Sequence, residues 1–555
     1  MNLKFLAVAA LLPAVHSAAT PAAVTFDWFE YTGHDDLFAT PLSPGHYRNP
    51  ILAGFYPDPS MCRVGDDYYL VNSTFAYFPG IPIFHSRDLV NWTQLGHVID
   101  RPAQLNYDRA TVTHGLFAPA ISHHGDTFYV VCTMIGGGGN FLVTAKDPTG
   151  PWSDPVWLGF DGVDPSLFFD DDGRAWLVNN GNPPDNQPLY PGHRAIWLQE
   201  FEPATQTLIG PRSIILNGGV DPAKKPVWIE GPHLYQRAGW YYLCCAEGGT
   251  STQHSQVILR SKSVTGPFVP WEKNPILTQR DLDGTAAHAV TCTGHADLFA
   301  GPDGQWWSVF LGCRPYGGGY TTTGRETFLL PVRWTDDGWP QILPPGERVP
   351  CVVKSPAGAD AAPTALTGNS TWRDDFSGPT LSPLWIMLRQ PHETWWSLTA
   401  SPGRLSLQPR AATLAGQGNP SFLARRVQHA KFAASTRLEV PAVPGVSAGL
   451  ALFQSENHYY FCAVHGTADG PELYLELDNG PTPTVIARTK IPGETRLDLR
   501  VTADEGRLVF AYAVRPGEWR PLGSDAATLP VTVQAAGDGL HFTGAVIGLH
   551  ARLEP

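Results

Sequence analysis

A pattern of apolar and polar positions recurs five times between about residues 45 and 350. Each copy begins with a short polar segment containing Pro or Gly, continues as an apolar strand, turns, and returns as an aromatic-rich strand. The copies are DPSMCRVGDDYYLV from Asp58, APAISHHGDTFYVV from Ala118, DPSLFFDDDGRAWLV from Asp164, EGPHLYQRAGWYYLC from Glu230 and GHADLFAGPDGQWWSV from Gly294. The intervening segments carry further strands, enough for about four strands per copy. A repeated β unit of this size predicts a five-bladed β-propeller.

The residues that open the copies are expected to meet. The spacing from the opening residue to the aromatic of the second strand is eleven residues from Asp58, Ala118 and Glu230, and twelve from Asp164 and His295. This spacing predicts one shared structural position in successive blades. Because the innermost strand of each blade starts at the central channel, we expect Asp58, Asp164, Glu230 and His295 to converge there.

The same patterning divides the chain into domains. Residues 45–350 are the predicted propeller, and residues 351–369, rich in Ala, Pro and Gly, are a predicted linker. From 370 to 555, alternation such as Leu-Tyr-Leu-Glu-Leu at 473–477 indicates a β-sandwich with one face of each strand buried. Residues 20–44 precede the propeller and contain a strand-like segment at 24–33. The predicted fold class is all-β, a five-bladed propeller followed by a β-sandwich.

The amino-acid composition limits the classes of binding partner that the protein can have. The formal net charge is −13, and no basic run offsets it, which excludes a nucleic acid or an anionic membrane as a partner. Aromatic residues make up 11% of the chain, a composition that suits stacking on sugars as well as a β-rich core.

The first residues resemble an export signal. Lys4 is followed by an apolar run from Phe5 to Val15 and by small residues up to Ala19. This run is too short to span a bilayer. Residues 1–19 are therefore a predicted signal peptide, and the mature protein is predicted to be secreted, to the extracellular space or to a periplasm.

Three carboxylic acids at one channel suit the hydrolysis of a glycosidic bond, which needs one carboxylate to activate water and one carboxylic acid to protonate the leaving oxygen. Glu230 has the apolar neighbours Trp228 and Ile229, which favour a protonated carboxyl, so it is the candidate acid. Asp58 is the candidate base. Asp164 is expected between them, where its charge would hold Glu230 in place and raise the pKa of Glu230.

At these residues the chain resembles glycoside hydrolase family 43, in its β-xylosidase and α-L-arabinofuranosidase members. The matching stretches are NPILAGFYPDPSMCRVGDDYYLVNSTF, FPGIPIFHSRDLVNW, GVDPSLFFDDDGRAWLV, WIEGPHLY, EGGTSTQHSQVILRS and TGRETFLLPVRW. The resemblance implies a five-bladed propeller that cleaves with inversion, followed by a concanavalin-like jelly roll. It implies the general base at Asp58, the general acid at Glu230 and the pKa modulator at Asp164.

The resemblance also implies residues around the substrate. Arg314 matches the arginine of the family that contacts substrate hydroxyls, and Thr250 and His254 lie in a stretch that borders the pocket. His295 matches a central-channel histidine that in some members ligates Ca²⁺, directly or through water. No cofactor is required for the hydrolysis itself, so calcium near His295 is only a candidate ligand of the channel.

Aromatic residues are expected to wall the pocket. Phe75 and Phe117 are candidates from their places in the blades, and Phe117 stands where the family usually has Trp. In the family a loop of the C-terminal domain supplies an aromatic to the pocket mouth, and Phe542 is the match here. Residues 24–33 resemble the strand that normally closes the family's sandwich at its end. We therefore expect 24–33 to pair into the sandwich, as in a circular permutation of one strand.

These observations predict an exported, inverting exo-glycosidase acting on xylo-oligosaccharides or arabinose-decorated xylan, with β-xylosidase preferred over α-L-arabinofuranosidase. Inversion predicts that the carboxyl groups of Asp58 and Glu230 lie about 6.5–9.5 Å apart. The rivals are a retaining five-bladed fructan hydrolase with Asp58 as its nucleophile, a non-catalytic sugar-binding propeller and a structural surface protein. The predicted partner is an oligosaccharide, and a homo-oligomer is compatible with the family.

Overall fold

The computed structural model describes residues 23–362, 364–535 and 542–554, and the predicted signal peptide at 1–19 lies outside these described residues. Strands dominate, which confirms the all-β prediction. The one α-helix of the described part is the single turn α1, and four 3-10 turns accompany it; within those ranges no helix is long and apolar enough to cross a membrane. The 3-10 turns are Pro184–Asn186, Pro222–Lys224, Pro356–Gly358 and Leu529–Val531.

The described chain begins with a strand that belongs to the C-terminal domain rather than to the propeller it precedes. This strand, α1 and a short strand that borders the propeller follow in order: β1 (Val24–Gly33), α1 (Asp36–Ala39) and β2 (His46–Arg48).

Five antiparallel sheets follow, one for each copy of the sequence pattern; four of them have four strands, and the sheet of blade four has a fifth. Blades one and two comprise β3 (Ser60–Val64), β4 (Asp67–Val71), β5 (Tyr77–Phe78, outside the blade sheet), β6 (Gly80–Ser86), β7 (Thr93–Ile99), β8 (Gly115–His124), β9 (Thr127–Ile135), β10 (Gly139–Ala145) and β11 (Val156–Trp157). Blade three comprises β12 (Val163–Phe169), β13 (Ala175–Gly181), β14 (Ala195–Glu202) and β15 (Thr207–Asn217). Blades four and five comprise β16 (Glu230–Arg237), β17 (Trp240–Glu247), β18 (Ser255–Ser261), β19 (Val269–Pro270), the added β20 (Leu277–Thr278), β21 (Thr291–Ala300), β22 (Trp306–Cys313), β23 (Arg325–Trp334) and β24 (Pro340–Gln341).

The inner strands of the blades share an irregular start. In blades two to five the register between the first and second strands shifts near the start of the inner strand. Two residues before the first regular pair, the backbone has a positive φ in every blade. The residues with this conformation are Asp58, Ala118, Asp164, Gly231 and His295.

The expectation that Glu230 shares this position is therefore wrong by one residue, because Gly231 occupies it. The sequence spacing between the opening residue and the aromatic of the second strand cannot reveal the irregular pairing of the two strands. In blade four a side chain at this position would be obstructed, since a Cβ on Gly231 would lie 2.8 Å from Nε2 of His295. Glu230 reaches the channel from the preceding residue.

The C-terminal domain is a sandwich of two antiparallel sheets. Its strands and the preceding linker strand are β25 (Val352–Lys354), β26 (Thr371–Asp374), β27 (Met387–Leu388), β28 (Trp396–Ser397), β29 (Leu405–Leu407), β30 (Ser421–Arg426), β31 (Lys431–Glu439), β32 (Val446–Ser455), β33 (His458–His465), β34 (Glu472–Asn479), β35 (Thr484–Lys490), β36 (Arg496–Asp504), β37 (Arg507–Ala513), β38 (Arg520–Pro521), β39 (Ala526–Ala527) and β40 (Val546–Leu553). The six-stranded sheet has the order β30-β40-β32-β33-β34-β35, and the nine-stranded sheet is built around β1, β31 and β36.

Strand β1 lies inside the nine-stranded sheet, between β31 on one side and β26 and β29 on the other. Successive side chains of a strand point to opposite sides, and a register shift between Phe26 and Trp28 puts Phe26 on the same face as Phe29 and Tyr31. Phe26, Phe29 and Tyr31 are buried in the sandwich core, where Phe29 packs against the indole of Trp385. The beginning of the described chain is thereby fixed to its C-terminal domain.

The two domains share backbone contacts beside the channel. The linker strand β25 pairs with β2, and β27 of the sandwich pairs with β5. The N–H of Ala545 donates to the carbonyl of Thr322 at 2.8 Å. Gly324 and Gly544 cross so closely that a Cβ on Gly324 would lie 2.5 Å from the nitrogen of Gly544. This crossing brings Phe542, two residues before Gly544, to the propeller cavity.

Candidate active site

Asp58, Asp164 and Glu230 line one cavity of about 400 Å³. All three carboxylates are buried, with exposures of 5%, 6% and 8%. A small adjoining void is lined by residues from the starts of all five inner strands, which places the cavity at the axis of the propeller. The cavity thus gathers acids from blades one, three and four.

Asp58 is held as a carboxylate. Its Oδ2 accepts the hydroxyl of Ser73 at 2.6 Å, and its Oδ1 lies 3.1 Å from Nη1 of Arg325. Burial raises the pKa of the Asp58 carboxyl, but the charges of Arg325 and His295 and the Ser73 hydrogen bond outweigh it, leaving that pKa below its ordinary value. An ionised carboxylate in a cavity can take a proton from water.

Asp164 is in the opposite electrostatic situation. Its Oδ2 accepts one backbone hydrogen bond, from the N–H of Gly231 at 3.2 Å. Burial, the charge of Glu230 and the charge of Asp58 raise the pKa of Asp164 well above the usual Asp range. Asp164 therefore favours retention of a proton beside Glu230, while Asp58 favours its loss.

Glu230 contacts a buried histidine. Oε1 of Glu230 lies 3.5 Å from Nε2 of His254, whose Nδ1 lies 3.1 Å from the carbonyl oxygen of Cys292. Because a carbonyl only accepts, Nδ1 of His254 must carry the hydrogen of that bond. In a neutral ring Nε2 is then an acceptor, so it faces Glu230 favourably when the carboxyl of Glu230 is protonated.

Three phenylalanines form one wall of the cavity. The ring of Phe542, from the C-terminal domain, stacks on Phe75 with ring centroids 5.8 Å apart and meets Phe117 edge to face at 5.4 Å. Phe75 and Phe117 are in edge contact at 5.3 Å. All three line the cavity together with Thr250 and His295. This wall closes one side of the cavity with residues from both domains.

The structure does not place Arg314 at this cavity. Its guanidinium is bound by Glu326, with Nε 2.6 Å from Oε2, and by Asp35, with Nη1 3.0 Å from Oδ2. The arginine at the acids is Arg325. Glu326 and Arg325 are consecutive in β23, and consecutive side chains of a strand point to opposite faces. Arg314 therefore lies on the face of β23 away from the acids, and its predicted substrate contact is wrong.

Arg325 takes the place predicted for Arg314. It bridges Asp58 and the Thr250 hydroxyl, which its Nη1 reaches at 3.3 Å, and its guanidinium lies 5.2 Å from the ring centroid of Phe542. The residue stands in the TGRETF stretch that carries the family resemblance. Its position at the start of β23, at the channel end of blade five, is the sequence signal that would have indicated it.

His254 also differs from its prediction. Its exposure is 0%, and it lies behind Glu230 rather than on the cavity surface, so it has no face for substrate. Its contact with Oε1 makes it a positioning residue for Glu230. Two further residues of the cavity, Arg194 and Trp228, were not predicted for it, because they precede their blade strands and carry no repeat signal.

The surroundings of His295 do not fit a directly ligated calcium ion. Nδ1 of His295 lies 3.6 Å from Oδ1 of Asp58. Calcium takes about six to eight oxygen ligands. In the described ranges no group of three His, Cys, Asp or Glu side chains is arranged to hold a metal ion. No chemical step is therefore assigned to a metal.

Known proteins resemble the chain over both domains. The family model of glycosyl hydrolases family 43 matches residues 47–340, and that of the beta xylosidase C-terminal concanavalin A-like domain matches residues 373–553. A xylosidase/arabinosidase from Butyrivibrio fibrisolvens is 39% identical over 516 residues, which cover 91% of this chain and 95% of that protein. A non-reducing end alpha-L-arabinofuranosidase from Bacteroides ovatus is 37% identical over 528 residues, 92% of each chain. The crystal structure of a xylan beta-1,4-xylosidase from Bacillus halodurans superposes with a TM-score of 0.82 at 33% identity, over 91% of this chain and 96% of that one.

Replacing Asp164 by Asn should stabilise the protein at neutral pH. The pKa of Asp164 is higher in the folded protein than in the unfolded chain, so the wild type loses stability as the pH rises above the ordinary Asp value of about 4 and through the folded pKa. Asn carries no charge and still accepts the Gly231 N–H. The Tm difference, variant minus wild type, should be smallest near pH 4 and reach roughly 2–4 °C at pH 8.

Thermal unfolding followed across this pH range measures the difference. The matched control is Asp171→Asn, an exposed residue in the turn of the same blade, and its Tm difference should not change with pH. A Tm difference for Asp164→Asn that falls between pH 4 and pH 8 contradicts the raised pKa.

Proposed function

Because the chain belongs to family 43 of the glycosyl hydrolases, we propose that it is an inverting exo-glycosidase that releases terminal β-xylosyl units from xylo-oligosaccharides. Glycoside hydrolysis of xylan-related substrates follows from the family and from relatives named as xylosidases and arabinosidases. This membership sets aside the fructan hydrolase, the non-catalytic sugar-binding propeller and the structural surface protein.

The observation that carries the proposal is the opposite electrostatic setting of two acids in one cavity. Asp58 is stabilised as a carboxylate by Arg325 and Ser73, whereas Asp164, whose pKa is raised by burial and by the charge of Glu230, favours a bound proton on the side of the cavity where Glu230 lies. Hydrolysis with inversion needs one acid of each kind, acting on the same anomeric carbon.

In the proposed reaction Asp58 is the general base. It takes a proton from a water molecule as the oxygen of that water attacks the anomeric carbon. Glu230 gives its proton to the glycosidic oxygen as the bond between carbon and that oxygen breaks. The sugar leaves with inverted configuration, and solvent returns Asp58 and Glu230 to their starting states. Asp164 keeps a proton beside Glu230, and His254 orients the carboxyl of Glu230.

Release of terminal sugars is supported by the shape of the cavity. The stacked rings of Phe75, Phe117 and Phe542 close one side of it. A chain that continued in that direction would collide with this wall. The cavity volume of about 400 Å³ suits one or two sugar units rather than the middle of a long chain.

Removal of α-L-arabinofuranosyl units is the second candidate. A relative named as a non-reducing end alpha-L-arabinofuranosidase is 37% identical over 92% of this chain, and another is named as a xylosidase/arabinosidase. Both activities use the same acid and base, so they differ in the sugar that the wall accepts. Comparison of nitrophenyl β-xyloside with nitrophenyl α-arabinofuranoside separates them.

Replacing Asp58 by Ala or Glu230 by Ala should each lower kcat by at least about 10²–10⁴-fold, because the first change removes the general base and the second removes the general acid. The measurement is the rate of sugar release from xylobiose, with the anomer of the first product followed by NMR. The wild type should release α-xylose from the β-linked substrate. Asp126→Ala, at an exposed turn of blade two, is the control and should keep the wild-type rate.

Two outcomes would count against the proposal. Wild-type rates in either Ala variant would remove Asp58 or Glu230 from the assigned role. Release of the β anomer as the first product would show retention and would require a nucleophile in place of a base.

We also infer that the protein is exported, supported by the charged start, short apolar run and small residues at 1–19. Expression of the full chain in a secreting host should give a mature protein that begins just after this segment. Sequencing the N-terminus of the protein recovered outside the cytoplasm tests this, and full-length protein retained in the cytoplasm contradicts it.

A further inference from the structure

Trp228 and Arg194 form a cation–π pair in the cavity lining, contributed by blades three and four rather than by the blades that carry Phe75 and Phe117. The guanidinium carbon of Arg194 lies 4.7 Å from the centroid of the Trp228 ring. Both residues line the cavity of the three acids. Trp228 is 37% exposed, whereas other tryptophans of the blades, such as Trp176 and Trp307, are buried. An exposed indole in a sugar-sized cavity is an available apolar face.

The pair is held rigidly from both sides. Nε of Arg194 donates to Oδ1 of Asn180 at 2.8 Å, and its Nη1 donates to Oδ1 of Asn182. The backbone N–H of Trp228 donates to the carbonyl of Gly192 at 2.8 Å. The ring therefore does not depend on a ligand for its position, and a preorganised aromatic loses little conformational entropy when a ligand binds.

Trp228 also has a strained backbone. Its φ is +58°, in the left-handed region that bulky residues rarely adopt. Such strain costs on the order of 1–3 kcal/mol and persists where the surroundings enforce it, often beside binding sites. The strained residue stands two positions before Glu230, so the geometry of the indole and that of the acid are set by one short segment.

The position of Trp228 relative to Glu230 decides which part of a substrate it meets. Glu230 protonates the glycosidic oxygen in the proposed reaction, so the leaving sugar lies beside Glu230. In the proposed reaction the terminal sugar lies against Phe75, Phe117 and Phe542, which come from blades one and two and from the sandwich, whereas Trp228 directly precedes blade four. The segment from Trp228 to Glu230 therefore forms the part of the cavity surface next to the leaving sugar.

We propose that Trp228 is a specificity-determining residue, whose indole, fixed by Arg194, stacks on the leaving-group sugar. The inference rests on the proposed function and adds the substrate unit that this part of the cavity selects. The ligand is a pyranose unit, because a pyranose presents a flat face of C–H bonds that packs on an indole ring. Single-sugar substrates with a small leaving group do not reach it.

The experiment compares two substrates in four proteins. Xylobiose carries a leaving sugar, whereas methyl β-xyloside carries only a methoxy group in its place, and both substrates need protonation of the glycosidic oxygen by Glu230. Trp228→Ala should lower kcat/KM for xylobiose about tenfold, while kcat/KM for methyl β-xyloside changes by less than about twofold. Trp228→Phe keeps an aromatic face and should recover most of the loss. Trp157→Ala removes another exposed indole, in blade two and outside the cavity. This control should leave kcat/KM for both substrates unchanged.

The outcomes separate this inference from the proposed function. Equal loss on both substrates in Trp228→Ala and Trp228→Phe would show that the segment only supports Glu230, and would overturn the inference. Unchanged kcat/KM for xylobiose in Trp228→Ala would overturn it as well. A wild-type protein that hydrolyses neither substrate would reject the proposed function first, and the inference with it.

Discussion

The site depends on the repulsion between three carboxylates buried in one cavity. Three like charges with little access to water cannot all remain ionised at low cost, because burial disfavours each charge and each charge disfavours the others. The cations around the cavity are distributed unequally. Arg325 contacts Asp58 directly, whereas Asp164 accepts a backbone N–H as its hydrogen bond. The repulsion is therefore relieved by protonation at Asp164 and not at Asp58, so these two carboxyl groups have opposite proton preferences.

The C-terminal sandwich takes part in the site as well as in the stability of the chain. It supplies Phe542 to the cavity wall, and the carbonyl oxygen of Phe542 accepts a hydrogen bond from Nη2 of Arg325 at 3.4 Å. The same arginine thus joins Asp58 to the sandwich. On the other face of β23, Arg314 bridges Glu326 to Asp35, close to the strand β1 that belongs to the sandwich. Removing one member of such a buried ion cluster typically costs about 3–5 kcal/mol. The arginines on the two faces of one strand therefore serve separate purposes, one at the acids and one at the domain junction.

The sequence allowed the propeller and the meeting of the acids to be predicted because both follow from local patterns. Each blade is a contiguous repeat, and its inner strand starts at the channel in every propeller. The errors arose where the answer depends on side-chain direction or on irregular pairing. Arg314 and Arg325 stand at the same end of blade five, and the strand face that separates them is not visible in a motif. The one-residue offset at Glu230 comes from irregular pairing in β16, and the full burial of His254 comes from packing between blades four and five. Trp228 precedes the inner strand of blade four and therefore lies outside the part of the sequence that repeats.

The pH dependence of kcat/KM in the wild type, Arg325→Met and Arg325→Lys tests the central claim most directly. If the charge of Arg325 keeps Asp58 ionised, the acid limb of the wild-type profile should fall below the ordinary Asp value of about 4. Loss of the charge in Arg325→Met should move this limb to higher pH by about one pH unit or more, and Arg325→Lys should restore most of the shift. An acid limb at the same pH in all three proteins would contradict the account.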